Sequence, residues 1–305
     1  MLKQIPDGVY PTMLTPYTLD NKIDFNALEQ LIYWYAERGV AGLFAICQSS
    51  EIFYLSFSER LAIIDFIMKH KPDNLTVIAS GHTADDLDTQ VSQAQEIIAT
   101  GIDAYVFISN RFAKRDESDD VLLKNMFSVI DRLPDIPFGV YECPYPYKRL
   151  LSPYVMKEMA RSGKFAFLKD TCCNIEQIKE KLSAVEGSSL KIYNANCALL
   201  LESLDLGCSG FSGVMANFHP ELYVELCNCY KSNHKRAELI QDFVGFASLA
   251  ECQAYPINAK YSISLDGVEI TSLSRARSSE DFPRNRQVEI EQMHRTTALF
   301  KQLLK

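Results

Sequence analysis

Three glycines set the architecture of this chain. Gly39, Gly101 and Gly163 recur at intervals of 62 residues, and each separates a helical pattern from a short apolar run. Glycine commonly follows a helix end, where the backbone turns left-handed. The interval fits two strand–helix units, so the chain reads as a tandem of units of about 31 residues.

The pattern between the glycines agrees. Residues 24–38 carry Phe25, Leu28, Leu31, Ile32 and Tyr35 on one helical face, with Asp24 as N-cap. Ser56 and Glu59 form a capping box, Thr83 opens a third helix, and Asn174 with Gln177 forms another capping pair. Further helices are expected near 117–132, 152–161, 197–206 and 220–231. Apolar runs at 9–14, 40–46, 75–79, 103–108, 136–141, 164–169, 190–193 and 208–212 read as strands. Eight strand–helix units in a row predict an α/β fold, a (β/α)8 TIM barrel over residues 1–231. An open doubly wound sheet is the alternative. The barrel is favoured because no glycine-rich dinucleotide loop follows the first strand. Beyond residue 231 the strands stop. Residues 232–305 read as a C-terminal helical extension, with helices at 235–254, 257–265 and 288–304 and a polar loop at 272–285.

The chain has 305 residues, 47% of them hydrophobic, enough for one large core. A net charge of -8 argues against nucleic acid as a partner. No run approaches a membrane span, and the N-terminus shows no secretory h-region. The nine cysteines therefore read as reduced thiols of a cytoplasmic protein.

In such a barrel the chemistry lies at the carboxyl ends of the strands. Lys169 closes the sixth apolar run and Tyr141 the fifth, on neighbouring strands. A lysine held among apolar side chains loses hydration, so its pKa falls and a nucleophilic amine becomes available. A phenol beside it can carry protons, as Schiff-base chemistry on a 2-oxo acid requires. Other strand-end residues have blander readings. Cys47, Cys143 and Cys172 suit small packing positions, and a metal site lacks a Cys-x-x-Cys pair or a histidine cluster. His82 reads first as a polar loop residue. Arg111, Lys114 and Arg115 suit a solvated loop, and Gly210-Phe-Ser-Gly213 suits either close backbone approach or a phosphate cradle.

Gly8-Val-Tyr-Pro-Thr-Met-Leu-Thr-Pro16, Glu51 with Leu55-Ser56 and Glu59-Arg60, Tyr141-x-x-Pro144, Lys169-Asp170 and the run Gly207…Gly210…Asn217…Pro220 resemble the dihydrodipicolinate synthase / N-acetylneuraminate lyase family. The resemblance spans nearly the whole chain. It implies a lysine Schiff base with a pyruvate-like 2-oxo acid, no metal or other cofactor, and a homo-oligomer, dimer or tetramer. Lys169 would be the Schiff-base residue and Tyr141 the proton-transfer residue. Ser49, Ser50, Gln48 and Gly213 would bind substrate.

The departures from the family are specific. Its Gly-Thr-Thr-Gly-Glu loop is here Cys47-Gln48-Ser49-Ser50-Glu51, so an amide replaces a relay hydroxyl. The family's tyrosine pair after strand 4 falls on Ile108-Ser109. Pro146 stands where the lysine-biosynthesis synthase has its arginine, with Lys148 and Arg149 just beyond. The expected function is a class I aldolase or lyase acting on a 2-oxo acid and an aldehyde, with a sugar-acid-type adduct. A catalytically silent 2-oxo acid sensor or scaffold on the same barrel is the rival reading, and a metal-dependent aldolase a third.

Overall fold

The computed structural model describes residues 3–305. Strands and helices alternate in chain order: β1 (Gly8–Val9), α1 (Phe25–Glu37), β2 (Gly42–Phe44), α2 (Phe57–His70), β3 (Thr76–Ala79), α3 (Leu87–Ile98), β4 (Ala104–Ile108) and α4 (Asp119–Ile130). They continue with β5 (Phe138–Tyr141), α5 (Pro153–Ser162), β6 (Phe165–Asp170), α6 (Ile175–Ala184), β7 (Lys191–Asn194), α7 (Leu200–Leu206), β8 (Gly210–Phe211) and α8 (Pro220–Cys229). Helices α9 (His234–Ala247), α10 (Ile257–Leu265) and α11 (Arg284–Leu303) follow.

All eight strands pair in parallel, in the order β1-β8-β7-β6-β5-β4-β3-β2. The remaining seam is closed by the residues just after β1. Met13 N–H donates to the Phe44 carbonyl and Phe44 N–H to the Pro11 carbonyl, each at 3.0 Å, with a parallel bridge from Thr12 to Phe44. The sheet is thus the expected TIM barrel. β1 and β8 are shorter than the apolar runs suggest. Pro11 sits on the β2-facing side of β1, with its carbonyl accepting from Phe44 N–H, so its missing N–H interrupts the ladder to β2. The glycine stops act as expected: Gly39, Gly101 and Gly163 have φ of 74°, 88° and 66°, where a side chain would be strained.

Local signals explain most helix ends. The Asp24 carboxylate accepts from Ala27 N–H at 3.0 Å, and Ser56 with Glu59 forms the reciprocal box. α3 starts four residues later than Thr83 suggests, capped by Asp86. Thr83 is engaged elsewhere, accepting from Arg60 Nη1 at 2.9 Å. α9 ends at Ala247, short of the expected 254. A 3₁₀ turn follows at Ser248–Cys252, then Tyr255 before Pro256, and the residue before proline avoids helical geometry.

Side chains alternate along β6, so Phe167 and Lys169 face the barrel interior. Phe167 packs with Tyr193 (4.4 Å between centroids), Tyr10 (5.6 Å) and Phe44 (6.2 Å). This aromatic layer floors the carboxyl-terminal mouth. Above it lie Tyr141 and Lys169. Among the described residues no helix is long and apolar enough to cross a membrane.

Candidate active site

Over the aromatic floor opens a cavity of about 610 Å³. Lys169, at the end of β6, is buried at 3% exposure. Its Nζ sits 4.4 Å from the Tyr141 ring centroid and 5.9 Å from that of Phe44. Burial lowers its pKa, only partly offset by the nearby Cys47, Cys143 and Glu251. A protonated amine here would have lost its water, so burial shifts the balance toward the neutral, nucleophilic form. Burial drives Tyr141 the other way, well above the usual phenol range, so its hydroxyl keeps its proton. The register pairs Tyr141 with Lys169 directly across β5 and β6.

Gln48 and Ser49 share this cavity. The Tyr141 hydroxyl donates to Gln48 Oε1 at 3.4 Å, a long contact, and the Cys143 thiol reaches the same oxygen at 3.4 Å. An amide oxygen accepts a hydrogen bond but does not pass a proton on. Ser49 Oγ donates to Thr12 Oγ1 at 3.0 Å. Ser50 and Gly213 do not line the cavity. The Ser50 hydroxyl lies 2.6 Å from the Met13 carbonyl and 2.9 Å from that of Ala45, and accepts from Cys47 N–H. A Cβ on Gly213 would stand 2.3 Å from the Phe211 ring and 2.5 Å from the Ala195 carbonyl. The run Gly210–Gly213 therefore serves close packing, with no room for a phosphate.

The C-terminal extension builds much of the cavity wall. Glu251, Cys252, Gln253, Tyr255, Ala276 and Arg277 line it opposite the strand ends. Sequence reasoning missed all of them, since only the tertiary fold brings 251–277 to the mouth. Tyr255 accepts from Asn217 Nδ2 at 2.9 Å, and burial raises its pKa against hydrogen bonding from Ser49, Thr12 and Asn217. Burial also raises the Glu251 carboxyl, with Lys169 opposing. Glu51 follows the Gln48–Ser50 turn in left-handed backbone, φ 61°. Its carboxylate binds Lys260 and accepts from Ser274 Oγ and the N–H groups of Arg275 and Ala276. It thereby pins the cavity-lining segment to the barrel.

Several sequence candidates have structural employment. His82 is fully buried. Its Nε2 accepts from Ile108 N–H at 3.1 Å, so the proton sits on Nδ1 beside the Tyr105 hydroxyl at 3.0 Å. Burial, with Arg111 and Arg60 nearby, lowers its pKa to about 3, which keeps it neutral. Arg111 pairs with Asp85 at 3.0 Å and stacks over Phe53. Arg149 is held by Asp119 at 2.9 Å and by the carbonyls of Lys114 and Glu117. Lys148 remains at the cavity wall, donating to the Thr171 carbonyl at 2.6 Å. Ser109, at the end of β4, donates to the Arg149 carbonyl at 2.7 Å.

Fold and site define a closed (β/α)8 barrel with a buried amine at its carboxyl-terminal mouth. The model of the Dihydrodipicolinate synthetase family matches residues 5–278, and the chain belongs to that family. The 4-hydroxy-tetrahydrodipicolinate synthase of Methanococcus maripaludis (strain C7) is 23% identical over 265 residues, 86% of this chain and 89% of that relative. The solved structure of YagE, a prophage protein of E. coli K12 belonging to the dihydrodipicolinic acid synthase family and in complex with pyruvate, aligns with a TM-score of 0.86. Its identity is 21%, covering 95% of this chain and 98% of that one. The sialic acid aldolase of Ruminococcus gnavus aligns with a TM-score of 0.85 at 20% identity, covering 99% and 100%. These structural likenesses establish the fold.

Proposed function

We propose that the protein is a class I aldolase or lyase acting on a pyruvate-like 2-oxo acid, with Lys169 as nucleophile. The observation that carries this is the buried Lys169 amine over the Tyr141 ring, in a cavity that also presents Ser49. Nζ attacks the ketone carbon. The carbinolamine loses water with a proton supplied by Tyr141, leaving an iminium. In the cleavage direction the hydroxyl on C4 gives its proton to the Tyr141 phenolate left by that dehydration, and the C3–C4 bond breaks. Its electron pair goes into an enamine, with the iminium as sink. Ser49 and its backbone N–H would hold the 2-oxo acid's carboxylate.

The polar lining of the cavity favours a hydroxylated, sugar-acid-type partner. Thr171, Asn196, Gln253 and Glu251 supply hydrogen-bonding groups, and a site built to pair hydroxyls discriminates strongly for them. We place the protein in the cytoplasm, as a homo-oligomer, dimer or tetramer, like other members of its family.

One observation favours a second reading. The Tyr141 hydroxyl meets the Gln48 amide, which cannot relay protons. A 2-oxo acid sensor that forms the imine without turning over would tolerate this.

Borohydride reduction with pyruvate tests the nucleophile. The expected result is an irreversible adduct mapped to Lys169. An adduct elsewhere, or none in folded protein, overturns the assignment. Turnover on a panel of aldol adducts then separates enzyme from sensor.

A further inference from the structure

Behind the barrel wall, on the side facing away from the cavity, three charged side chains are sealed from solvent. Successive residues of a strand point to opposite faces, so those after Tyr141 and Lys169 point outward. They are Glu142 and Asp170, and α6 places Lys181 between them. Their side chains are 0%, 0% and 2% exposed. Lys181 Nζ donates to Glu142 Oε1 and to Asp170 Oδ2, each at 2.5 Å. Backbone N–H groups complete the set: Leu151 on Glu142 Oε1 (2.8 Å), Thr171 on Glu142 Oε2 (2.9 Å) and Cys172 on Asp170 Oδ1 (3.0 Å). Every carboxylate oxygen is taken.

As a stabilising device this is poor. Two carboxylates share one ammonium, and burial of such groups costs more than an apolar trio of the same volume would. What the arrangement supplies is a tie between two strand ends. The β5–β6 ladder is irregular between Phe138 and Gly139, and its last bond, Glu142 N–H to the Lys169 carbonyl, is long at 3.3 Å. At the end where the chemistry lies the backbone contributes that one long bond, supplemented by the Thr171 hydroxyl on the Glu142 carbonyl at 2.7 Å. Glu142 also anchors Leu151, and with it the loop that carries Tyr145 and Lys148 to the cavity.

We propose that Lys181 is a positioning residue. By holding Glu142 to Asp170 behind the wall, it fixes the Tyr141 hydroxyl relative to the Lys169 amine in front. The inference rests on the Schiff-base reading above. Proton transfer within such a pair falls steeply when the groups are displaced by about an ångström, so a tie on the next residue of each strand controls the rate without touching substrate.

Pyruvate alone is a sufficient probe. Once the iminium forms, loss of a C3 proton gives the enamine, and return of a deuteron from D2O labels the methyl group, read by NMR. Borohydride capture at Lys169 reads imine formation separately. Wild-type protein that is neither captured nor active in exchange overturns the Schiff-base reading itself, before any variant is made.

With an active wild type, Glu142→Gln is the first variant, because it leaves Lys181 and Asp170 as a one-to-one pair. The second combines Glu142→Gln, Asp170→Asn and Lys181→Met, so that no buried charge lacks a partner. Circular dichroism confirms folding, and Glu142→Gln alone decides if the triple variant fails to fold. The exchange kcat is expected to fall about tenfold or more, while the pyruvate KM moves less than about threefold. A cycle with Tyr141→Phe supplies the readout that a merely structural role would not move. Tyr141→Phe should cost about tenfold less in the Glu142→Gln background than in wild type. Exchange at the wild-type rate, or an undiminished Tyr141→Phe loss, overturns the clamp and leaves the Schiff base standing.

Discussion

The carboxylate of Glu51 and the ammonium of Lys260 meet at 2.7 Å with 1% and 0% of their side chains exposed, 209 residues apart in the chain. One partner follows the turn that presents Gln48 and Ser49. The other lies on α10. The pair joins the barrel mouth to the extension that roofs it, and the Tyr17 ring stacks below Lys260 at 4.5 Å. Lys260→Met leaves Glu51 buried without its cation. Breaking a buried pair costs about 3–5 kcal/mol. Urea denaturation should show a loss of that size, and a loss below about 1 kcal/mol, the value of an exposed pair, would show that the pin is dispensable.

Tyr141→Phe removes the hydroxyl from the ring that lies against the Lys169 amine. Turnover should fall by roughly 10²–10⁴-fold, the range for a single acid–base group. Imine capture should slow as well, since dehydration of the carbinolamine needs a proton. Equal turnover in the variant would mean that another cavity group, Glu251 foremost, moves the proton.

The barrel was legible because its signals are local: glycine stops in left-handed backbone, Asp24 and Ser56 caps, and apolar runs of strand length. Lys169 and Tyr141 were legible for a related reason, since chain order fixes which residues end neighbouring strands. The cavity roof was not. Glu251 and Tyr255 reach the mouth only through packing of the extension onto the barrel. Lys181 left a faint trace. It stands three residues after Ile178, the other buried residue of α6, where the apolar stripe calls for a hydrophobic side chain. A lysine on such a stripe, with an acid after each of two strand ends, is a pattern that sequence can show. His82 misleads in the opposite direction, since a strand-end histidine resembles a site residue while serving as a neutral core hydrogen-bonder.

Glu251→Gln keeps the shape of the cavity wall and removes its carboxylate. Loss of one hydrogen bond to a charged group is worth about 1.5–3 kcal/mol, so kcat/KM for a hydroxylated aldol adduct should drop by about 10–100-fold. Pyruvate capture at Lys169 should change far less, because the ketone meets Nζ without a hydrogen bond from Glu251. An equal drop in both would place Glu251 at the imine instead.

Acid stability should carry the mark of two buried histidines. Burial lowers the pKa of His219 to about 4 and that of His82 to about 3. Both lie below the unfolded value of about 6.5, so the unfolded chain binds protons that the folded chain refuses. Their contribution is present above pH 6.5 and is lost as pH falls, at about 1.4 kcal/mol per unit for each residue. His219→Phe keeps a ring against Tyr223 and Phe243 and removes one of the two. Unfolding free energies between pH 6.5 and 4 should then fall with a slope shallower by one proton. An unchanged slope would show that His219 is protonated in the folded state.

The last prediction concerns the partner of the 2-oxo acid. Condensation with aspartate semialdehyde needs a cation to grip that substrate's carboxylate, and a planar guanidinium does so with two parallel bonds. Pro146 offers none. Arg149, the nearest guanidinium on the loop, is already held by Asp119 and two carbonyls. Lys148 reaches the cavity but spends a donor on Thr171, and an ammonium grips as a point charge. Arg277 also lines the cavity, from the extension, and not from the β5 loop in whose sequence Pro146 stands. The expected outcome is no useful formation of dihydrodipicolinate in a coupled assay, alongside turnover with hydroxylated aldehydes. Robust condensation at ordinary enzyme concentration would show that Lys148 and Arg277 together replace the missing guanidinium, and would restore the synthase activity to this chain.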